Sequence, residues 1–206
     1  LMTAMAAAIG SVNMVSALAD ETATGETKFG WECDANNNWR YYNVDGNLAT
    51  GWINVGGTWY YMGENGAMKT GWYQVNGAWY YSNGSGAMQT GWLNRGGTWY
   101  YLTGSGAMAT GWINLGGTWY YLNPGNGDMV GAGWHLINNK WYYFGGSGDM
   151  YSNRWIGNYY VGGNGEMLTN TWVGSYWVGA DGKWIPNYDP DANANWVKSG
   201  NTWYYQ

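Results

Sequence analysis

Trp52 and Trp59 stand seven residues apart and are followed at once by Tyr60-Tyr61. The same set returns as Trp72, Trp79 and Tyr80-Tyr81, as Trp92, Trp99 and Tyr100-Tyr101, and as Trp112, Trp119 and Tyr120-Tyr121. Clusters of exposed indole and phenol rings suit flat sugars or quaternary ammonium groups, so the chemistry these residues point to is recognition. Residues that could carry a reaction are scarce. His135 is the one histidine and Cys33 the one cysteine, which excludes a two-His metal site, an internal disulfide framework and a multi-cysteine metal cage. His135 occupies the repeat position held elsewhere by Ile53, Tyr73, Leu93 and Ile113, so it reads as a repeat variant on a strand rather than a base. Asp128, Asp149, Asp181, Asp189 and Asp191 fall in turns and loops without regular partners, unlike the paired carboxylates of a glycosidase. The chain is expected to be no enzyme and to need no cofactor or metal.

Composition agrees with many small units rather than one core. The 206 residues include 18 Trp, 20 Tyr and 36 Gly, but only two Phe and three Pro. Glycine at that frequency, without a collagen period, serves tight turns. The net charge of −5 argues against nucleic acid, which requires a basic patch. A mild negative field favours a cationic ligand, though screening leaves little of it at physiological salt.

The elements that must position the rings follow from the period. Residues 51–121 are one unit written four times, close to T-G-W-x-x-x-G-G-T-W-Y-Y-x-x-x-x-G-A-M-x. Repetition at about 20 residues signals stacked repeats. Gly56-Gly57, Asn76-Gly77, Gly96-Gly97 and Gly116-Gly117 are two-residue turns of the kind that require positive φ, so each unit reads as a β-hairpin. Centring the turn at Gly56-Gly57 sets Val55 opposite Thr58, Asn54 opposite Trp59, Ile53 opposite Tyr60 and Trp52 opposite Tyr61. Alternation then puts Trp52, Trp59 and Tyr61 on one face, with Ile53, Val55 and Tyr60 on the other. A lone hairpin is marginal in water, and here both faces are apolar, so each hairpin is expected to sandwich between its neighbours in an all-β solenoid. Two strands of about four residues are too short for a propeller blade.

Regular repeats are assigned to 31–150, beginning with an irregular unit in which Trp31 and Trp39 are eight apart and Arg40 replaces the first Tyr. Residues 151–206 hold degenerate, capping repeats: WIGNYYVGGNGEM and WVGSYWVGADGKW lack the second Trp at its usual spacing, and a hairpin over 196–205 restores it. No site is assigned there. Residues 1–19 read as a secretory signal peptide without its basic start, apolar and closing on Ala17-Leu18-Ala19, followed by a polar linker over 20–30. The competing reading, a membrane-spanning helix, is long enough but weakened by Gly10, Ser11, Asn13 and Ser16. Nothing else in the sequence reads as a membrane span.

Part of the aromatic content must be core. Aliphatic residues, however, would fill a solenoid without polar edges, so the excess of indole suggests that some rings line cavities. A sugar would also need polar partners for its hydroxyls, and within the repeat these are thin: Asn54, Asn94, Asn114 and Gln74. Three aromatic walls without a carboxylate suit a quaternary ammonium, which has no hydrogen to donate.

TGWINVGGTWYYMGENGAMK, TGWYQVNGAWYYSNGSGAMQ, TGWLNRGGTWYYLTGSGAMA and TGWINLGGTWYY closely resemble choline-binding repeats, the cell-wall-binding units of pneumococcal surface proteins, autolysins and phage lysins. The likeness is close over 31–150 and loose over 151–206. It implies a left-handed β-solenoid of stacked hairpins, with choline held by two Trp of one repeat and a Tyr of the next. The ligand would be phosphocholine on teichoic or lipoteichoic acid, and the protein would be secreted and held non-covalently on the wall. Carried over, the cages are Trp52 and Trp59 with Tyr80, Trp72 and Trp79 with Tyr100, Trp92 and Trp99 with Tyr120, and Trp112 and Trp119 with Tyr142. Two outer sets are Trp31 and Trp39 with Tyr60, and Trp134 and Trp141 with Tyr159. The face argument selects the first Tyr of each pair; the second, such as Tyr81 or Tyr101, is the other candidate. Met68, Met88, Met108 and Met129 are the implied apolar lids. Glucan-binding repeats are the alternative family, although they usually lack the paired Gly-Trp and Trp-Tyr-Tyr. Dimerisation through terminal hairpins stays open.

Overall fold

The computed structural model describes residues 28–190 and 196–205. The leader expected over 1–19 and all but the end of the linker lie outside the described residues. The chain forms two compact units, divided between Ala109 and Thr110.

Among the described residues all regular structure is β. The first unit contains the paired strands Gly30–Cys33 and Trp39–Tyr42, Gly51–Val55 and Thr58–Met62, Gly71–Val75 and Ala78–Ser82, and Gly91–Arg95 and Thr98–Leu102. The second contains Gly111–Leu115 with Thr118–Leu122, Gly133–Ile137 with Lys140–Phe144, Arg154–Ile156 with Tyr159–Val161, and Trp196–Ser199 with Thr202–Tyr205. All pairs are antiparallel. The register in 51–62 sets Trp52 opposite Tyr61, Ile53 opposite Tyr60, Asn54 opposite Trp59 and Val55 opposite Thr58, as the turn position dictates. Gly56 and Gly57 carry φ of 59° and 85°, the left-handed pair that matches the twist of the strands. Asn54 Oδ1 accepts the Gly57 N–H at 3.1 Å and fixes the turn further.

Hairpins within a unit are joined through the loop that leaves each one. In the first unit the Met68 N–H donates to the Trp39 carbonyl, Met88 to Trp59 and Met108 to Trp79, at 2.7–2.8 Å. In the second, Met150 donates to Trp119 and Met167 to Trp141, both at 2.8 Å. The methionine side chain runs the other way, onto a glycine of the following loop. A Cβ on Gly86 would lie 2.1 Å from the Met68 sulfur, and one on Gly106 would lie 2.3 Å from the Met88 sulfur.

From the hairpin 51–62 to the hairpin 171–178, the core sits at the end of the second strand. Met62, Leu102, Leu122, Phe144, Val161 and Val178 are fully buried. Several are paired with a glycine, as Met62 is with Gly51 and Leu102 with Gly91, so the missing side chain leaves them room. Ser82 occupies the equivalent place in 71–82, equally buried, and its Oγ lies 2.9 Å from the Tyr73 hydroxyl. Tyr73 replaces the usual aliphatic residue, and a small partner offsets the added ring. Burial raises the Tyr73 pKa.

One element departs from the sequence reading. Thr171–Val173 and Tyr176–Val178 gain a third strand, Trp184–Ile185, which begins at the last residue of the shortened copy WVGSYWVGADGKW. Tyr188 then stacks on Trp177 at 4.5 Å and 8°.

Candidate ligand-binding cages

Strand alternation brings the two tryptophans of a hairpin to one face, and the turn sets their angle. The Trp52 and Trp59 ring centroids are 6.5 Å apart with planes at 84°, two walls of a corner. A third ring comes from the following hairpin: Tyr80 meets Trp52 at 4.8 Å and 65°. The arrangement recurs. Trp72 meets Tyr100 at 5.0 Å and 65°. In the second unit Trp112 meets Trp119 at 6.3 Å and 82°, and Tyr142 at 4.8 Å and 62°. The outer set of Trp31, Trp39 and Tyr60 is assembled too, with Trp31 6.5 Å from Trp39 and 4.8 Å from Tyr60, and in the other Trp134 lies 5.6 Å from Tyr159. Trp92 and Trp99 stand 6.3 Å apart at 87° in the first unit, whereas Tyr120 belongs to the second, and each is described within its own unit.

The second tyrosine of these pairs meets the first tryptophan of its own hairpin, and Tyr61 also stacks on Tyr73 of the next. Tyr61 lies 5.0 Å from Trp52, Tyr81 5.2 Å from Trp72 and Tyr101 5.2 Å from Trp92. It is therefore the first tyrosine that reaches the preceding tryptophan. The second tryptophans are open to solvent: Trp59, Trp79, Trp119 and Trp141 are 42–46% exposed. Large indoles left half-bare at a fixed position, hairpin after hairpin, form an apolar surface that packing alone does not require.

Polar groups at the cages are already committed. Asn54, Asn94 and Asn114 each accept the N–H of their own turn glycine, at 3.0–3.1 Å, and Gln74 donates to the Gly77 carbonyl. Tyrosine rings outside the cages accept cations from within the chain. Arg95 sits 5.1 Å from the Tyr81 centroid and Arg154 4.3 Å from that of Tyr151.

Models of the choline-binding repeat match residues 69–110, 90–134 and 109–155, and a further one matches 149–184. A model of the cell wall binding repeat matches 50–68. The crystal structure of the choline-binding domain of CbpL from Streptococcus pneumoniae is 30% identical, covering 79% of this chain and 100% of its own, with a TM-score of 0.54. The chain belongs to the choline-binding repeat family. Among other members, choline binding protein F from Streptococcus pneumoniae is 48% identical over 70% of this chain and 49% of its own, with a TM-score of 0.66. This chain thus spans about half the length of that relative. The modular autolysin LytC from the same organism is 26% identical over 88% of this chain, with a TM-score of 0.56. No curated protein matches the chain.

Among these choline-binding repeats, the cage of Trp112, Trp119 and Tyr142 carries charge. The Tyr142 hydroxyl donates to Glu166 Oε1 at 3.3 Å, and Lys140 Nζ donates to the same oxygen at 2.6 Å. The Lys140 hydrogen bond holds the Glu166 carboxyl below the usual carboxylate range, while burial and the adjacent carboxylate push the Tyr142 hydroxyl up. The first repeat has a different exception. Arg40, at the place of a first tyrosine, donates to Asp34 Oδ2 and to the Asn65 carbonyl.

Two features went unread in the sequence. The methionine position continues beyond Met150 to Met167, hidden by the shortened spacing of the degenerate stretch. The degenerate stretch also holds its own ring cluster: Trp155, Tyr176 and Trp184. Aligning that stretch on its Tyr-Tyr and Tyr-Trp pairs, rather than on the missing tryptophan, is the signal that finds it.

Proposed function

We propose that the chain is a non-catalytic module that binds choline, in particular the phosphocholine of teichoic or lipoteichoic acids, and so anchors a secreted protein to a Gram-positive surface. The hairpins would stack as a left-handed β-solenoid, with a ligand seat at each junction. The cages assigned within a unit are Trp52, Trp59 and Tyr80; Trp72, Trp79 and Tyr100; and Trp112, Trp119 and Tyr142. The outer sets at Trp31, Trp39 and Tyr60, and at Trp134, Trp141 and Tyr159, complete the series.

The observation that carries this reading is the half-exposed right-angled pair of indoles, met by a tyrosine of the next hairpin. Three ring faces around one point stabilise a trimethylammonium by roughly 0.5–2 kcal/mol each. After the association cost, affinity on the order of millimolar remains per site, and a polymeric ligand raises the total by avidity. The choline binding protein F structure with ipratropium, a quaternary ammonium compound, supports the same ligand class. The Asn54, Asn94 and Asn114 side-chain oxygens and the Gln74 amide nitrogen are engaged in their turns, which leaves fewer groups for the hydroxyls of a glucan and disfavours the carbohydrate alternative.

Retention on a tertiary-amine resin tests the proposal. Free choline is expected to elute the chain, whereas a glucose polymer leaves it bound. Elution by glucan and not by choline would reverse the assignment. Trp79→Ala is expected to abolish one site and leave its neighbours titrating.

A further inference from the structure

The shortened hairpins 154–161 and 171–178 have lost the second tryptophan. Register shows what stands in its place. Trp155 pairs with Tyr160 as Trp52 pairs with Tyr61, which makes Tyr159 the first tyrosine and Asn158 the residue at the Trp59 position. In the next hairpin Trp172 pairs with Trp177, so Tyr176 holds the position of Tyr80. The methionine position is fixed by two marks in the regular repeats. Its N–H donates to the carbonyl of the earlier hairpin's second tryptophan, as Met88 does to Trp59. It also pairs with the buried last residue of its own hairpin, as Met68 does with Met62. Trp184 meets both. Its N–H donates to the Asn158 carbonyl at 2.8 Å, and it pairs with the buried Val178.

An indole therefore stands at the methionine position of the one junction where the second tryptophan has become asparagine and the next hairpin still supplies its tyrosine. Tyr176 meets Trp155 at 5.7 Å and 82°, and meets Trp184 at 5.7 Å and 83°. All three rings are open to solvent, at 36% for Trp155, 49% for Tyr176 and 36% for Trp184. Packing does not account for an exposed indole where the regular repeats use methionine against a glycine.

We propose that Trp155, Tyr176 and Trp184 form a further quaternary-ammonium site, in which Trp184 restores from the methionine position the wall that the shortened hairpin lost. The site rests on the cage reading above and takes the same class of ligand, a trimethylammonium headgroup. Its walls are two indoles and a phenol, the number of faces that the regular cages provide. Nothing in the motif of the regular repeats marks it, because the wall comes from a different strand.

The test follows indole N–H resonances in the full chain labelled with 15N-tryptophan, titrated with choline chloride against sodium chloride. Trp155, Trp184 and Trp52 are assigned by their loss in W155F, W184Y and W52F. Trp155 and Trp184 are expected to shift together with one midpoint. W184Y keeps the Trp155 response within about threefold, whereas W184M, which installs the residue of the regular repeats, raises the choline required by at least about tenfold. Should W184M disturb the hairpin, the joint midpoint of Trp155 and Trp184 in the unsubstituted chain decides the matter. An unmoved Trp155 alongside a moving Trp52 overturns this site and leaves the regular cages standing. An unchanged midpoint in W184M also overturns it. If no indole moves, both readings fall.

Discussion

At the scale of single residues, the cages differ in charge rather than in rings. In the set of Trp112, Trp119 and Tyr142 a carboxylate is bonded to the tyrosine, and Lys140 neutralises that carboxylate. Replacing Glu166 with Gln leaves the ammonium facing a cage meant for a cation. Choline binding read at the Trp119 indole is therefore expected to weaken about two- to fivefold, the range of an exposed charge pair, while Lys140→Met strengthens it. The pH dependence has a definite sign. The Glu166 pKa lies below its ordinary 4.5, so its contribution is complete above that value and is lost as pH falls through the depressed pKa. The Lys140 pKa is raised above 10.5, so its contribution is complete below that and is lost only on the alkaline side. Affinity at this cage should be flat from about pH 5 to 10 and decline in acid, whereas the cage of Trp52, Trp59 and Tyr80 should not respond to acid. An equal acid response in both would mean that Glu166 is not the titrating group.

At the scale of the element, glycine serves two separate demands. Gly57 has φ of 85° and open space where a Cβ would project. Gly86 has φ of 81° and the Met68 sulfur at the same place. Gly57→Ala is expected to cost the left-handed conformation alone, about 1–2 kcal/mol. Gly86→Ala adds an overpacking cost of about 1–3 kcal/mol, and combining it with Met68→Ala should recover that part. Chemical denaturation of the parent, Gly86→Ala, Met68→Ala and their double variant measures the cycle, with Gly57→Ala beside them; equal losses for the two glycines would remove the methionine contact from the account. This contrast also explains what was legible beforehand. The turns at Gly56-Gly57 and the strand register followed from adjacent residues, because positive φ and alternation are local rules. That Met68 stacks on Gly86 depends on the rise from one loop to the next, which no local pattern encodes. The added strand at Trp184–Ile185 and the stacking of Tyr188 on Trp177 were missed for the same reason: their partners are fixed only once the hairpin 171–178 exists.

For the whole molecule, the ring positions were readable because repetition separates what every hairpin requires from what one hairpin tolerates. The cages became legible as places only when Tyr80 was seen against Trp52, since the sequence names three rings but not the gap between them. Because each seat proposed within a unit joins groups from successive hairpins, choline has no equivalent site in the unfolded chain, and its binding there is expected to stabilise the fold. For one seat the gain is about 2.7 kcal/mol when choline stands at 100 times its dissociation constant, and independent seats within a cooperative unit add. The midpoint of thermal unfolding should therefore climb with the logarithm of choline concentration, more steeply than one site allows. Three controls separate the causes. Sodium chloride at equal ionic strength tests whether screening of the net charge of −5 is enough, since bulk salt acts on that charge without entering a cage. The neutral isostere 3,3-dimethylbutan-1-ol has the shape and methyl surface of choline without its charge, so a full response to it would assign the seats to apolar burial instead of cation–π attraction. The third control is Trp79→Ala, which should lower the slope by the share of a single seat. A slope unchanged by that substitution would mean that the rings at 72, 79 and 100 are packing and not a binding site.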